Sequence, residues 1–300
     1  MSNRTLGVLG VPSSAAAHAP GLERSPAALR SAGLLTALEA SGRTVIDHGD
    51  TPQARWRPDP PERSNPHDVA RVRAGLQDVR EALGPVLASG QLPVVLGGEC
   101  TVTLAVLAAA AAAGMDLGLV YVDGGQDLHL PADHPEEPIA DSMGVAHLLD
   151  LPGVHDDLAG LGPRRPLLTP DRLCFVGFAD DDEDVHGLVP SVRIPAEVVH
   201  QDARAAAHQA LAAVAHAADG FAVHVDVDVL DMFALPLADI PQYGRGLTPP
   251  VLQELLAGLV SAPGWAGLVL VEANPDRDDE NGTAMRALVD LVGAAVSTAR

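Results

Sequence analysis

Lysine is missing altogether: the 19 basic residues are all arginine, and against 40 acidic residues they leave a formal charge of −21. Affinity for a nucleic acid or an anionic membrane comes from neutralising phosphates, so that balance excludes both as partners. Cysteine is almost missing too. Cys100 and Cys174 are the only two and lie far apart, which rules out a disulfide framework, allows at most one bridge and makes the cytoplasm the expected compartment. Long apolar runs are also lacking. Leu6 to Val11 is broken by Pro12 and is shorter than the roughly 7–15-residue core of a secretion signal, so it reads as a first strand. Val102 to Gly114 is mostly alanine, falls short of the ~20 residues that span a bilayer, and reads as a buried helix. Segments of biased polar composition are absent; with 47% hydrophobic and 20% charged residues the chain is neither disordered nor fibrous.

What is present is an alternation of short β-branched runs with longer helical stretches, the pattern of a parallel sheet covered on both faces. Strands are expected at Thr5–Val11, Arg43–Asp47, Leu92–Leu96, Leu117–Val122, Arg172–Val176, Gly220–Val227 and Ala266–Val271. Helices are expected at Ser25–Ser41, Pro66–Ser89, Thr101–Ala113, Ala203–Ala218, Pro249–Leu259 and Gly282–Ala299. The expectation is one α/β domain over residues 1–300: a single doubly wound parallel sheet, with no internal repeat and no linker.

Ligands of an open α/β sheet sit at the carboxyl ends of its strands. Four such ends are unusual here: Gly97-Gly98-Glu99-Cys100, Asp123-Gly124-Gly125-Gln126-Asp127-Leu128-His129, His224-Val225-Asp226-Val227-Asp228-Val229-Leu230-Asp231, and Glu272-Ala273-Asn274-Pro275. If the first three strands are neighbours, Cys100, Asp123, Asp127, Asp226 and Asp228 converge on one edge, with Asp226 and Asp228 on one strand face by their spacing of two. An isolated Asp after a strand usually caps a turn. As a set, uncompensated carboxylates cannot share a dry pocket unless a cation or protons neutralise them, so a divalent metal is the economical explanation. Carboxylates suit Mn²⁺, Mg²⁺ or Ca²⁺, whereas a thiolate shifts preference towards Zn²⁺ or Fe²⁺. Cys174 lies within an apolar strand and reads as core, and His224 reads equally as a satisfied buried imidazole or as a metal ligand.

These four strand ends, in this order, resemble the motifs of the ureohydrolase superfamily, the arginases, agmatinases and formiminoglutamases. Gly21-Leu22-Glu23-Arg24-Ser25-Pro26 resembles the family's N-terminal signature, and Gly246-Leu247-Thr248 its substrate-side turn. The resemblance implies a three-layer arginase-like fold, a homo-oligomer, and two manganese ions sharing a bridging hydroxide. It implies that Cys100, Asp123, Asp127 and Asp226 surround the first ion, with Cys100 in place of a histidine. The second ion would use Asp123, Asp226 and Asp228, and its histidine is replaced by Gly125; the expected content is therefore one manganese, or another divalent ion, with at most a weakly held second. Asp141-Ser142-Met143 stands where the arginases carry a proton-relaying histidine. The resemblance further implies catalytic roles for Asp127 and Glu272, Glu272 pairing with a guanidinium, and substrate contacts from His129, Asp182 and Thr248. The expected substrate is a small cationic guanidino or amidino molecule of amino-acid type, hydrolysed at a linear C–N bond. Two other functions stay open at this level: a binding or structural subunit that kept the fold, and new chemistry with Cys100 as nucleophile.

Overall fold

The computed structural model describes residues 4–297 except 62, 134, 136–137, 180–183 and 185. Its strands are β1 (Leu6–Gly10), β2 (Val45–Asp50), β3 (Leu92–Leu96), β4 (Gly118–Val122), β5 (Leu173–Val176), β6 (Val192–Ile194), β7 (Phe221–Asp226) and β8 (Trp265–Val271). Its helices are α1 (Ser25–Ser31), α2 (Leu34–Glu39), α3 (Val69–Ala88), α4 (Val102–Ala112), α5 (Gly144–Leu148), α6 (Asp156–Ala159), α7 (Ala196–Gln201), α8 (Ala203–Ala213), α9 (Pro249–Val260) and α10 (Thr283–Ser297).

All eight strands join one parallel sheet in the order β2-β1-β3-β8-β7-β4-β5-β6. Its central strands are buried on both faces, as near-continuous Val/Leu runs require. One core layer packs α1, α2 and α7 to α10 against residues such as Leu96, Val122, Val225 and Leu270; the other packs α3 to α6 against Val95, Tyr121, Phe175 and Val269. Each expected strand is found within a few residues of its expected limits. Three differences have local causes. The expected helix Ser25–Ser41 is two helices, because Gly33 takes a left-handed φ of 99° between α1 and α2. The sheet has an eighth strand, β6, whose three residues Val192–Ile194 are too short to carry a periodic signal. Helices α5 to α7, of four to six residues, were likewise below what periodicity resolves.

The strand order places β3, β8, β7 and β4 side by side. Residues 96, 270, 225 and 122 lie in register across these four strands, so the turn after each opens at one level of the carboxyl edge. The strand between β3 and β7 is β8, and it brings Glu272 into the same edge.

Candidate functional site

Every strand end of that central group contributes. Cys100 follows β3 just ahead of α4, Asp123 follows β4, Asp226 is the last residue of β7, and Glu272 follows β8. Together with Gly124, Gly125, Asp127, His129, Asp141, Ser142, Asp228, His18, Ile240 and Gln242 they line a pocket of about 190 Å³. Its described lining holds two imidazoles, His18 and His129, and no arginine.

At its floor the Cys100 thiol donates to Asp226 Oδ2 at 3.0 Å and lies 3.8 Å from Asp123 Oδ2 and 3.6 Å from His224 Nε2. His224 Nε2 is 3.5 Å from Asp123 Oδ2, while its Nδ1 is 2.7 Å from Thr103 Oγ1 on α4. Strand geometry explains why this histidine is here. Side chains alternate between faces, so His224 shares a face with Asp226, and Tyr121, its partner in register on β4, shares one with Asp123. The two rings stack at 4.0 Å, and the Tyr121 hydroxyl donates to Asp127 Oδ2. Sequence reasoning left His224 open and passed over Tyr121 and Thr103; the spacing of two before each Asp was the available signal.

That same periodicity does not relate Asp226 to Asp228. β7 ends at Asp226, and Val227–Val229 form a 3₁₀ turn in which Asp226 Oδ1 accepts from the Asp228 amide at 2.6 Å. Asp228 reaches the pocket from this turn, with Oδ1 accepting from the Gly124 amide at 2.8 Å. Asp127 has a left-handed φ of 51°, and its carbonyl accepts from the amides of Val145 and Ala146, which ties the loop after β4 to α5. Asp127 therefore stands at the wall, outside the tight group of Cys100, Asp123, His224 and Asp226. His129 lines the pocket. Thr248 is exposed at the start of α9 and does not line it. Asp182 lies outside the described residues.

Asp141 is a site residue that the sequence marked only as a missing histidine. Its Oδ1 accepts from the Cys100 amide at 2.7 Å, and its carboxyl lies within 4.8 Å of that of Glu272. Glu272 is held by a donation from its own amide to the Gly98 carbonyl at 2.8 Å, in a left-handed φ of 62°. Its Oε1 is buried without a hydrogen-bond partner.

The electrostatics follow from burial. Desolvation, then Asp228 and Asp123, push Asp226 well above the usual carboxylate range. Burial and Asp141 do the same to Glu272, and Asp141 is pushed up to about 8 by burial and Glu99. Burial and four nearby carboxylates raise the Cys100 thiol, and burial lowers His224. The group is thus a concentration of negative charge that protons or a cation must offset.

The sequence profile of the arginase family matches residues 4–297. The chain belongs to the arginase family. It is 26% identical to an arginase of Brevibacillus brevis over 298 residues, 95% of this chain and 96% of that protein. Its fold is that of the native arginase of Bacillus caldovelox, with a TM-score of 0.86 at 24% identity and 98% of both chains covered. It also resembles proclavaminate amidino hydrolase of Streptomyces clavuligerus, with a TM-score of 0.73 at 18% identity over 99% of this chain and 93% of that one. Among the described residues no helix is long and apolar enough to cross a membrane.

Proposed function

We propose that this arginase-family protein is a metal-dependent hydrolase that cleaves the C–N bond of a guanidino or amidino group in a small cationic, amino-acid-like molecule. The observation that carries this reading is Glu272, a carboxylate that lines the pocket beside a group of buried metal-ligating side chains. A carboxylate in such a pocket favours a cationic partner, and a planar guanidinium offers it several hydrogen-bond donors. Related proteins of the same fold include both arginases and an amidino hydrolase, which supports the bond class without selecting the substrate.

The family typically uses a binuclear metal centre. Here the donors of Cys100, Asp123, His224 and Asp226 fit one divalent cation, whereas the second position lacks an imidazole because residue 125 is glycine. When bound, such an ion supplies Lewis acidity and an activated water near neutral pH. The remaining work belongs to the chain. Glu272 binds and orients the guanidinium, His129 and Gln242 meet the far end of the substrate, and the buried walls exclude bulk water. As water adds to the guanidino carbon, Asp127, positioned by the Tyr121 hydroxyl, accepts its proton, and the departing amine takes up a proton as the C–N bond breaks. A free thiolate at Cys100 is opposed by the same burial and carboxylates that raise its pKa. The family resemblance extends the proposal to a homo-oligomer in the cytoplasm.

The test is release of urea, or of hydroxyurea from a hydroxylated guanidine, from arginine, agmatine and hydroxylated arginine by metal-loaded protein. Glu272→Gln is expected to lower turnover at least about 100-fold, the loss expected for a buried charge-assisted contact of about 3 kcal/mol, with metal content unchanged. Silence across the panel in a metal-loaded sample, with no ligand-induced thermal shift, would remove the hydrolase reading.

A further inference from the structure

Among the described histidines, His224 is the one that shares a buried group with Cys100, Asp123 and Asp226. It is fully buried on a central strand, where an imidazole needs partners on both nitrogens. Thr103 supplies one: with Nδ1–H donated to the Thr103 hydroxyl, the Nε2 lone pair faces Cys100 and Asp123. Tyr121 clamps the ring face-on, leaving it little freedom to turn away.

We propose that Cys100, Asp123, His224 and Asp226 form a single four-donor centre that takes a thiolate-accepting divalent ion of the zinc class in preference to manganese. Three observations carry it. The donor atoms all lie within 4.8 Å of one another. Four of their six separations, 3.0, 3.5, 3.6 and 3.8 Å, fall near the edge lengths of about 3.3–3.8 Å that a tetrahedron of ~2.0–2.3 Å bonds requires. One sulfur, one imidazole and two carboxylates make a borderline-soft set, whereas manganese is suited to oxygen and nitrogen donors in larger coordination numbers. Thr103 is a positioning residue that fixes the ring through its outer nitrogen, as partners of metal-bound histidines do. This inference deepens the hydrolase reading by naming the ion of the same site, and its test does not depend on turnover.

Metal-free protein is titrated with Zn²⁺, Mn²⁺ and Co²⁺ by calorimetry and absorption. Most nitrogen and oxygen sites prefer zinc to manganese, so the decisive quantities are the thiolate signature and the change in that preference on mutation. The expected result is one equivalent of Zn²⁺, and a sulfur-to-cobalt charge-transfer band that Cys100→Ser abolishes. His224→Phe, which keeps a ring against Tyr121, is expected to reduce the Zn²⁺ to Mn²⁺ affinity ratio at least about tenfold; Thr103→Val should weaken Zn²⁺ about tenfold, with Thr103→Ser restoring it. If His224→Phe does not fold, the cobalt band and the Thr103 pair decide. Cobalt binding without the band, two equivalent manganese ions, or a Zn²⁺ affinity indifferent to the Cys100 and Thr103 variants would overturn the proposal. A zinc-loaded protein with the band but no hydrolysis would uphold it and defeat the hydrolase reading instead.

Discussion

Burial and hydrogen-bond geometry together hold a histidine neutral, and His147 on α5 shows how. Its Nδ1 donates to the Met143 carbonyl at 2.7 Å, and its Nε2 accepts from the His155 amide at 3.1 Å. Burial penalises the charge, and a second proton would set N–H against N–H, so its pKa falls from 6.5 to about 4. The sign is then fixed. Below pH 6.5 the unfolded chain binds a proton that the folded chain refuses, so stability is lost as pH falls from 6.5 towards 4, by about 3 kcal/mol in all. Denaturant titrations at pH 7 and pH 4.5 should show His147→Gln to be less stable than the parent at pH 7, with a visibly shallower decline between the two. An unchanged slope would mean that other groups dominate acid unfolding. His147 and His224 are both buried imidazoles in a short stretch of apolar sequence, and sequence could not separate them. What differs is the second nitrogen, which meets a backbone amide in one and a set of metal-type donors in the other.

At the scale of elements, the turns carry the site and their backbones are crowded. A Cβ on Gly98 would stand 1.6 Å from the Ser13 carbonyl oxygen and 2.6 Å from its carbon, so the turn after β3 passes the loop after β1 with no room for a side chain. The Gly98 carbonyl also accepts from the Glu272 amide, which couples the turns after β3 and β8. Gly98→Ala is therefore expected to cost about 3 kcal/mol, the upper end for overpacking because both atoms met are backbone. Gly75→Ala is the contrast. Within α3 its Cβ would meet only the Ala54 Cβ, at an ordinary 3.5 Å, and the helix should gain about 0.5–1 kcal/mol. Thermal melts of the two variants should move in opposite directions, and a neutral Gly98→Ala would show that the turn is looser than its contacts imply. The motif Gly97-Gly98-Glu99-Cys100 was readable in the sequence, but the reason for its second glycine was not, because Ser13 is distant in the chain.

For the whole molecule, strand order decides how the chain can come apart. β8, from the end of the chain, is inserted between β3 and β7, and β7 pairs with β4, so early and late segments alternate across the sheet. No cut along the sequence leaves two pieces with complete cores. The expectation of one domain over residues 1–300 thus becomes a measurable proposal: one cooperative unfolding transition, with tryptophan fluorescence and far-UV circular dichroism coinciding. Trp56 reports on the segment before α3 and Trp265 on β8, so transitions that separate with the probe would refute it. The charge of −21 acts at the same scale, drawing small cations towards a pocket whose own lining is carboxylate-rich.

The sequence by itself determined the fold class, seven of the eight strands and the family, because period-two and period-3.6 patterns and strand-end motifs are local in the chain. It also marked Cys100, Asp123, Asp127, Asp226, Asp228 and Glu272, all of which line the pocket. Only the tertiary structure decided which of these meet. Cys100 and Asp226 touch because β8 separates β3 from β7 by a single strand, Asp228 leaves the strand face because β7 ends in a 3₁₀ turn, and Thr248 stays outside the pocket at the start of α9. His224 joined the buried group of candidate ligands, and Asp141 the pocket wall, through contacts with residues more than a hundred and about forty positions away, at distances that no local pattern encodes.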